Sequence, residues 1–327
     1  MARNSTLPQL EVQDRANPDQ NATELRKPRR PRLLSLLGKI NPIHLLSHTF
    51  ESLENRNFRM LWFGMVFSMW GIQMQMVARG ILVYDLTGDY TITGFVGMGF
   101  APSLLVVSLF GGVLGDRMER RSIIQIAQLV NGLLAGLVGI LVLLDVVVWQ
   151  HLFAVSMLQG AMFAFMMPAR QAAIPSLVKK HQLANAFALN AMAMSIMSLF
   201  APAIAGFMYQ FIGAEVVYFA VFVVMVSAVV FTSLVPKMYP SRKAIKDSVV
   251  SNILAGFKYI GSNKLLLQLM IYSMVVALLA MPFRMLVPAY AKDVYGSAGS
   301  EVGFLLTATG LGALIGSLAI ANLREGH

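Results

Sequence analysis

The stretch GVLGDRMERR, Gly112 to Arg121, closes one long apolar run and hands over to another at Ser122. Asp116, Arg117, Glu119, Arg120 and Arg121 all fall within its last six residues. A water-soluble core has no use for so dense a charged turn between two runs of twenty-odd apolar residues. A bilayer does: the turn stays in water while both flanking helices cross the lipid, where each must satisfy its own backbone hydrogen bonds.

Composition carries that reading to the whole chain. Of 327 residues, 57% are apolar and only 13% charged, outside the soluble range and inside that of polytopic membrane proteins. The absence of cysteine removes disulfides, thiol nucleophiles and cysteine metal sites. The net charge of +10 does not point to nucleic acid, because the basic residues sit in loops and in the N-terminal tail, as a topology signal requires.

Residues 1–54 read as a basic cytoplasmic tail. Its first part, to about Pro31, is polar and proline-containing and cannot bury enough surface to fold. No apolar core follows a short basic start, so it is not a signal peptide. From Leu33 to Phe50, leucines at near-helical spacing, broken by Pro42, suit either a surface-lying amphipathic segment or a solvated linker. Eight apolar spans follow, at Met60 to Tyr84, Ile92 to Gly115, Ile123 to Leu144, His151 to Met167, Ala184 to Phe211, Val216 to Val235, Leu265 to Tyr290 and Val302 to Leu323. Each suits a hydrocarbon core of roughly 30 Å.

Placing the N-terminus inside puts 23 of the 26 Lys and Arg on the cytoplasmic side, Arg170, Lys179 and Lys180 among them in the loop after span four. Asp85, Asp89, Asp145, Glu215, Asp293 and Glu301 then fall outside. Both termini are expected in the cytoplasm of a cell whose inner membrane holds the chain. The longest and most basic connection follows span six. It divides 55–236, a set of six spans, from 265–327, a set of two, with 237–264 as a cytoplasmic linker.

The pattern from Gly112 through Asp116 and Arg117 to Arg120 and Arg121 resembles the loop signature between the second and third helices of the major facilitator superfamily. Glu119 stands where that family has a second glycine. Three further segments resemble the branch of enterobactin exporters and macrolide or multidrug efflux proteins. They are Asn55 to Trp62, Val83 to Gly88, and Pro168 to Val178, the last being the most specific. The resemblance implies an all-α fold of six plus six helices with a pseudo-twofold axis along the membrane normal. This chain would hold the complete first half and the first two helices of the second. It stops at Gly326-His327, and a truncated reading frame or fragment is the expectation.

The resemblance also implies roles. Gly112, Asp116, Arg117, Arg120 and Arg121 would form a gating latch, its acid capping a helix terminus and its bases holding the cytoplasmic side shut. The plainer alternative is that these charges only mark topology. Arg79 lies near the outer end of span one with Gln75 one turn below, and such spacing puts both on one face. Arg284, between Pro282 and Pro288, is its candidate mate across the pseudo-symmetry. The two arginines would favour an anionic or hydrogen-bond-accepting substrate, or else would snorkel to headgroups or pair with Asp85 and Asp293. Gln159 and Asn190 join this candidate cavity because an amide facing lipid is penalised. Span five carries Ala201-Pro-Ala-Ile-Ala-Gly206, similar to an antiporter motif of the family, with Ser198 where that motif often has arginine. Pro202 and Gly206 suit close packing on Gly312 and Gly316 of span eight.

No span carries a mid-membrane Asp or Glu, so a coupling proton is implied by resemblance alone. The 22 methionines and 20 phenylalanines suit a pliable pocket. The preferred reading is a secondary transporter, an efflux permease exporting small amphipathic molecules such as drugs or siderophores by alternating access. The alternatives are a non-transporting scaffold or sensor with the same fold, or an inactive fragment. No metal triad, acid pair or nucleophile elbow supports an enzyme, and no cofactor is expected.

Overall fold

The computed structural model describes residues 51–115, 118–239 and 259–272, with a few single positions beyond them. A short 3-10 turn at Glu51–Glu54 leads into α1 at Arg56–Thr87. Next come α2 at Tyr90–Met98, α3 at Phe100–Gly115, α4 at Arg120–Leu143, α5 at Trp149–Leu177, α6 at Leu183–Phe211 and α7 at Ala214–Ser233. The second crossing is α2 and α3 together, joined at Gly99, whose own backbone is helical. Six crossings are thus long and apolar enough to span a membrane, and no strand occurs among the described residues.

Five of the six lie within about one helical turn of the spans expected from sequence. The fourth does not: expected to stop at Met167, it runs on through Pro168 and Pro175 to Leu177. Arg170, expected in a loop, is therefore a helix residue, and it is 2% exposed. Proline interrupts a helix in water more readily than in a packed bundle, where neighbours supply the missing donors. In the last turns of α5 the Arg120 guanidinium also donates to the Ala172 carbonyl at 2.9 Å, and Ser176 Oγ to that of Ala173 at 2.7 Å, bonds that hold this end of the helix without replacing the donors the prolines lack.

Local chemistry sets the helix ends. Asn55 caps α1, its Oδ1 accepting from the amides of Asn57 and Phe58. At the other end Gly88 takes the left-handed conformation, φ 63°, that a side chain disfavours, and its N–H closes onto the Tyr84 carbonyl. Asp89 then caps α2.

Packing follows membrane rather than water logic. On α4, Ile126, Leu129, Leu133, Leu137 and Ile140 form an exposed stripe that suits lipid. The opposite face buries Ala127, Gln128, Asn131, Gly132, Ala135 and Gly139, small or polar residues that let backbones approach. The central helix is α1, which touches α2, α5, α6 and α7. Its most apolar window is 67% buried, against 28–44% for the other five crossings. Glycines mark the tightest approaches. A Cβ on Gly64 would collide with Thr232 of α7, one on Gly71 with Met225, and one on Gly160 of α5 with the carbonyl of Phe100.

Candidate functional site

An arginine inside a bundle must find acceptors, and α1 and α5 bring Arg79 to one. Its Nη1 donates to Oε1 of Gln159 at 2.6 Å, and both side chains are buried, 5% and 7% exposed. Both lie toward the Thr87 end of α1 and the Trp149 end of α5. Among the described residues no carboxylate pairs with Arg79, and its Nε has no partner. The snorkelling and Asp85-pairing alternatives do not describe this geometry. Asp85 instead accepts from the hydroxyl of Tyr209 on α6 at 3.0 Å.

More polar atoms gather around the pair. Gln75, one turn along α1 and 1% exposed, has neither amide atom satisfied. Ser156 Oγ, one turn from Gln159 on α5, is buried and unpartnered. Tyr218 of α7, within electrostatic reach of Arg79, buries its hydroxyl without a partner. Buried polar groups are normally satisfied, and a cluster that is not is where a ligand or water is expected to complete the bonding. Met74, Ala78, Leu152, Val155, Ala205 and Val221 belong to the buried apolar core at this level of the bundle.

Sequence grouped Gln75, Arg79 and Gln159 in one candidate cavity; the structure joins Arg79 to Gln159 and buries Gln75 one turn away on α1. Tyr218 and Ser156 were missed. A tyrosine and a serine inside strongly apolar runs carry no spacing signal, and only the approach of α7 and α5 to Arg79 reveals them. Asn190 is half-buried near the Leu183 end of α6, many turns from the end of α1 that holds Arg79. Arg284 lies outside the described residues.

The residues foreseen as a latch divide in the same way. Gly112 lies in α3, while Asp116 and Arg117 lie outside the described residues. Arg120 and Arg121 are engaged within this bundle. Arg120 reaches Ala172 of α5, and its amide donates to the carbonyl of Met238 at 3.1 Å. Arg121 Nη1 donates to the Val235 carbonyl at 2.7 Å, just past the end of α7. The two bases therefore tie the start of α4 to the same-side ends of α5 and α7. Pro202 and Gly206 are buried, and Ala201 and Ala205 beside them belong to the core cluster that α1 supplies. A Cβ on Gly312, one of the few described positions of the eighth expected span, meets nothing within 4 Å. Gly316 lies outside them. At Ser198, where arginine was anticipated, the hydroxyl accepts from Gln73 of α1 at 3.2 Å.

Comparison with known proteins identifies the family and several relatives. The family described as transmembrane secretion effector matches residues 47–326. Enterobactin exporter EntS of Shigella boydii serotype 4 is 27% identical over 261 residues, which is 77% of this chain and 58% of that protein. EntS of Escherichia coli O1:K1 is 26% identical over the same extent. The chain therefore spans less than two thirds of the length of the curated relatives it matches. A crystal structure of a mutant peptide transporter POT with alafosfalin aligns at a TM-score of 0.45 and 17% identity, over 73% of this chain and 50% of that one.

Proposed function

This chain belongs to the transmembrane secretion effector family, an efflux branch of the major facilitator superfamily of membrane transporters, and from that premise we propose that it exports small amphipathic molecules bearing an anionic or strongly hydrogen-bond-accepting group. One observation supports the substrate class: the buried Arg79 guanidinium has a neutral amide as its partner, with unsatisfied Gln75, Ser156 and Tyr218 around it. A cation held this way costs desolvation energy that a carboxylate or phenolate on a passing substrate offsets. The surrounding methionine and aromatic surface accepts varied greasy bodies, so charge selects and shape does not.

The outward direction follows the EntS relatives, and the mechanism is alternating access, with this six-helix half rocking against a second half about the Arg79 site. The protein sits in the inner membrane with its N-terminus in the cytoplasm, so the Thr87 end of α1 faces out. Asp116 and Arg117 latch the cytoplasmic side together with the helix ends that Arg120 and Arg121 hold. Among the described residues no Asp or Glu is buried within a crossing, so proton coupling falls to a rim group such as Asp85 or to the other half. The test is accumulation of a panel of dyes and siderophores in cells with and without the complete gene. Anionic members are retained more strongly without it, and equal accumulation across the panel overturns the assignment.

A further inference from the structure

Arg170 lies on α5 eleven residues beyond Gln159. Eleven residues are close to three turns, so both side chains leave the helix within about 20° of the same direction, roughly 16 Å apart along the axis. On α1 the residue that stands eleven before Arg79 is Ser68. The helices are antiparallel: Arg79 meets Gln159, and lower on α1 Ser68 Oγ reaches Sδ of Met166, higher on α5, at 3.6 Å. One seam thus carries polar groups along its length, from Arg79, Gln159, Ser156 and Gln75 to Ser68 and Arg170.

Arg170 is the more poorly satisfied of the two arginines. It is 2% exposed, its Nη2 reaches only the Met166 thioether at 3.5 Å, and its Nε has no partner. No carboxylate among the described residues pairs with it. Sulfur is a weak acceptor, and a methionine or leucine would fill the same space without desolvating a charge. The position therefore uses the charge itself, and no described residue at that point neutralises it.

We propose that Arg170 is a second anion-binding residue, an inner station on the α1–α5 seam that takes the carboxylate, phenolate or phosphate of a small molecule before that group reaches Arg79. The ligand is a small water-borne anion rather than a lipid headgroup, because the side chain is closed in by protein. Two cations three turns apart on one stripe let an anion exchange one partner for the next without crossing a bare apolar stretch. This rests on the export reading in one respect: water must enter the seam.

The chain has no cysteine, so single cysteines can report on it directly. Ser68→Cys, with Met166→Cys as a second reporter, probes the Arg170 end, and Ser156→Cys probes the Arg79 end. Each purified variant, in detergent free of phospholipid, is treated with an anionic sulfonatoethyl and a cationic trimethylammonioethyl thiosulfonate, and the two rates are compared. The inner reporters should favour the anionic reagent by about tenfold. Arg170→Gln should abolish that preference and Arg170→Lys preserve it. Reaction without charge preference, or a preference that survives Arg170→Gln, overturns the inner station and leaves the export reading standing. So does an unreactive inner end beside a reactive Ser156→Cys. Silence at both ends overturns the station and the α1–α5 route together.

Discussion

Asn55 donates from Nδ2 to the carbonyl of Leu177 at 2.6 Å, while its Oδ1 accepts from the first amides of α1. One side chain therefore closes the start of the central helix and the last turn of α5, the two helices that carry the Arg79 site. Asn55→Ala should lower unfolding stability in detergent by about 1–3 kcal/mol, the sum of a lost cap and a lost, partly buried hydrogen bond. Asn55→Asp keeps the cap and loses the Leu177 bond, so its melting temperature should fall between those of the two.

Gly160 is a point where α5 and the α2–α3 junction touch through backbone, because a Cβ there meets the Phe100 carbonyl. A carbonyl cannot rotate away as a side chain can. Gly160→Ala should cost about 1–3 kcal/mol and Gly160→Val more, enough to reduce folded yield. Size-exclusion profiles and thermal melts of the two variants check this. A melt for Gly160→Val equal to that of the unmutated chain would mean that the two segments are not in contact.

The Arg121 bond to Val235 and the Arg120 bond to Ala172 tether the ends of α7 and α5 to the start of α4. Arg121→Ala should speed amide hydrogen exchange over residues 234–238 by about tenfold, while α5 near Gln159 stays protected. Asp116→Asn in the full-length protein should slow transport without reducing membrane insertion, and an unchanged transport rate would remove Asp116 from the latch.

Topology can be read in the same cysteine-free background. Lys179→Cys lies at the turn between α5 and α6, and Asp145→Cys at the turn between α4 and α5. In intact cells an impermeant thiol reagent should label Asp145→Cys and not Lys179→Cys. The reverse pattern would invert the orientation.

How far sequence could see depended on which signals a bilayer preserves. The six crossings were legible because twenty apolar residues in lipid have one low-energy form. The Gln75 and Arg79 face was legible because polar residues four apart stand out against apolar neighbours. Arg170 was misread as a loop residue because it sits between Pro168 and Pro175, and prolines that often end a helix in water are tolerated inside a membrane helix. Tyr218 and Ser156 were invisible because their role depends on which helices meet, and small apolar alphabets do not encode that. Asn190, grouped with Arg79 by its chemistry, stands near the other end of the bundle on α6. It lies next to the buried stripe of Ala186, Leu189 and Ala193 rather than on it.

The central claim is that the Arg79 guanidinium selects anions for export. The most direct measurement is the efflux rate of an anionic siderophore and of a neutral analogue of similar size from cells expressing the full-length protein, with and without Arg79→Gln. The account predicts a loss of about tenfold or more for the anion, the size of one charge-assisted hydrogen bond, with the neutral analogue changed by less than about threefold. Equal losses for the two, or none for either, would contradict it.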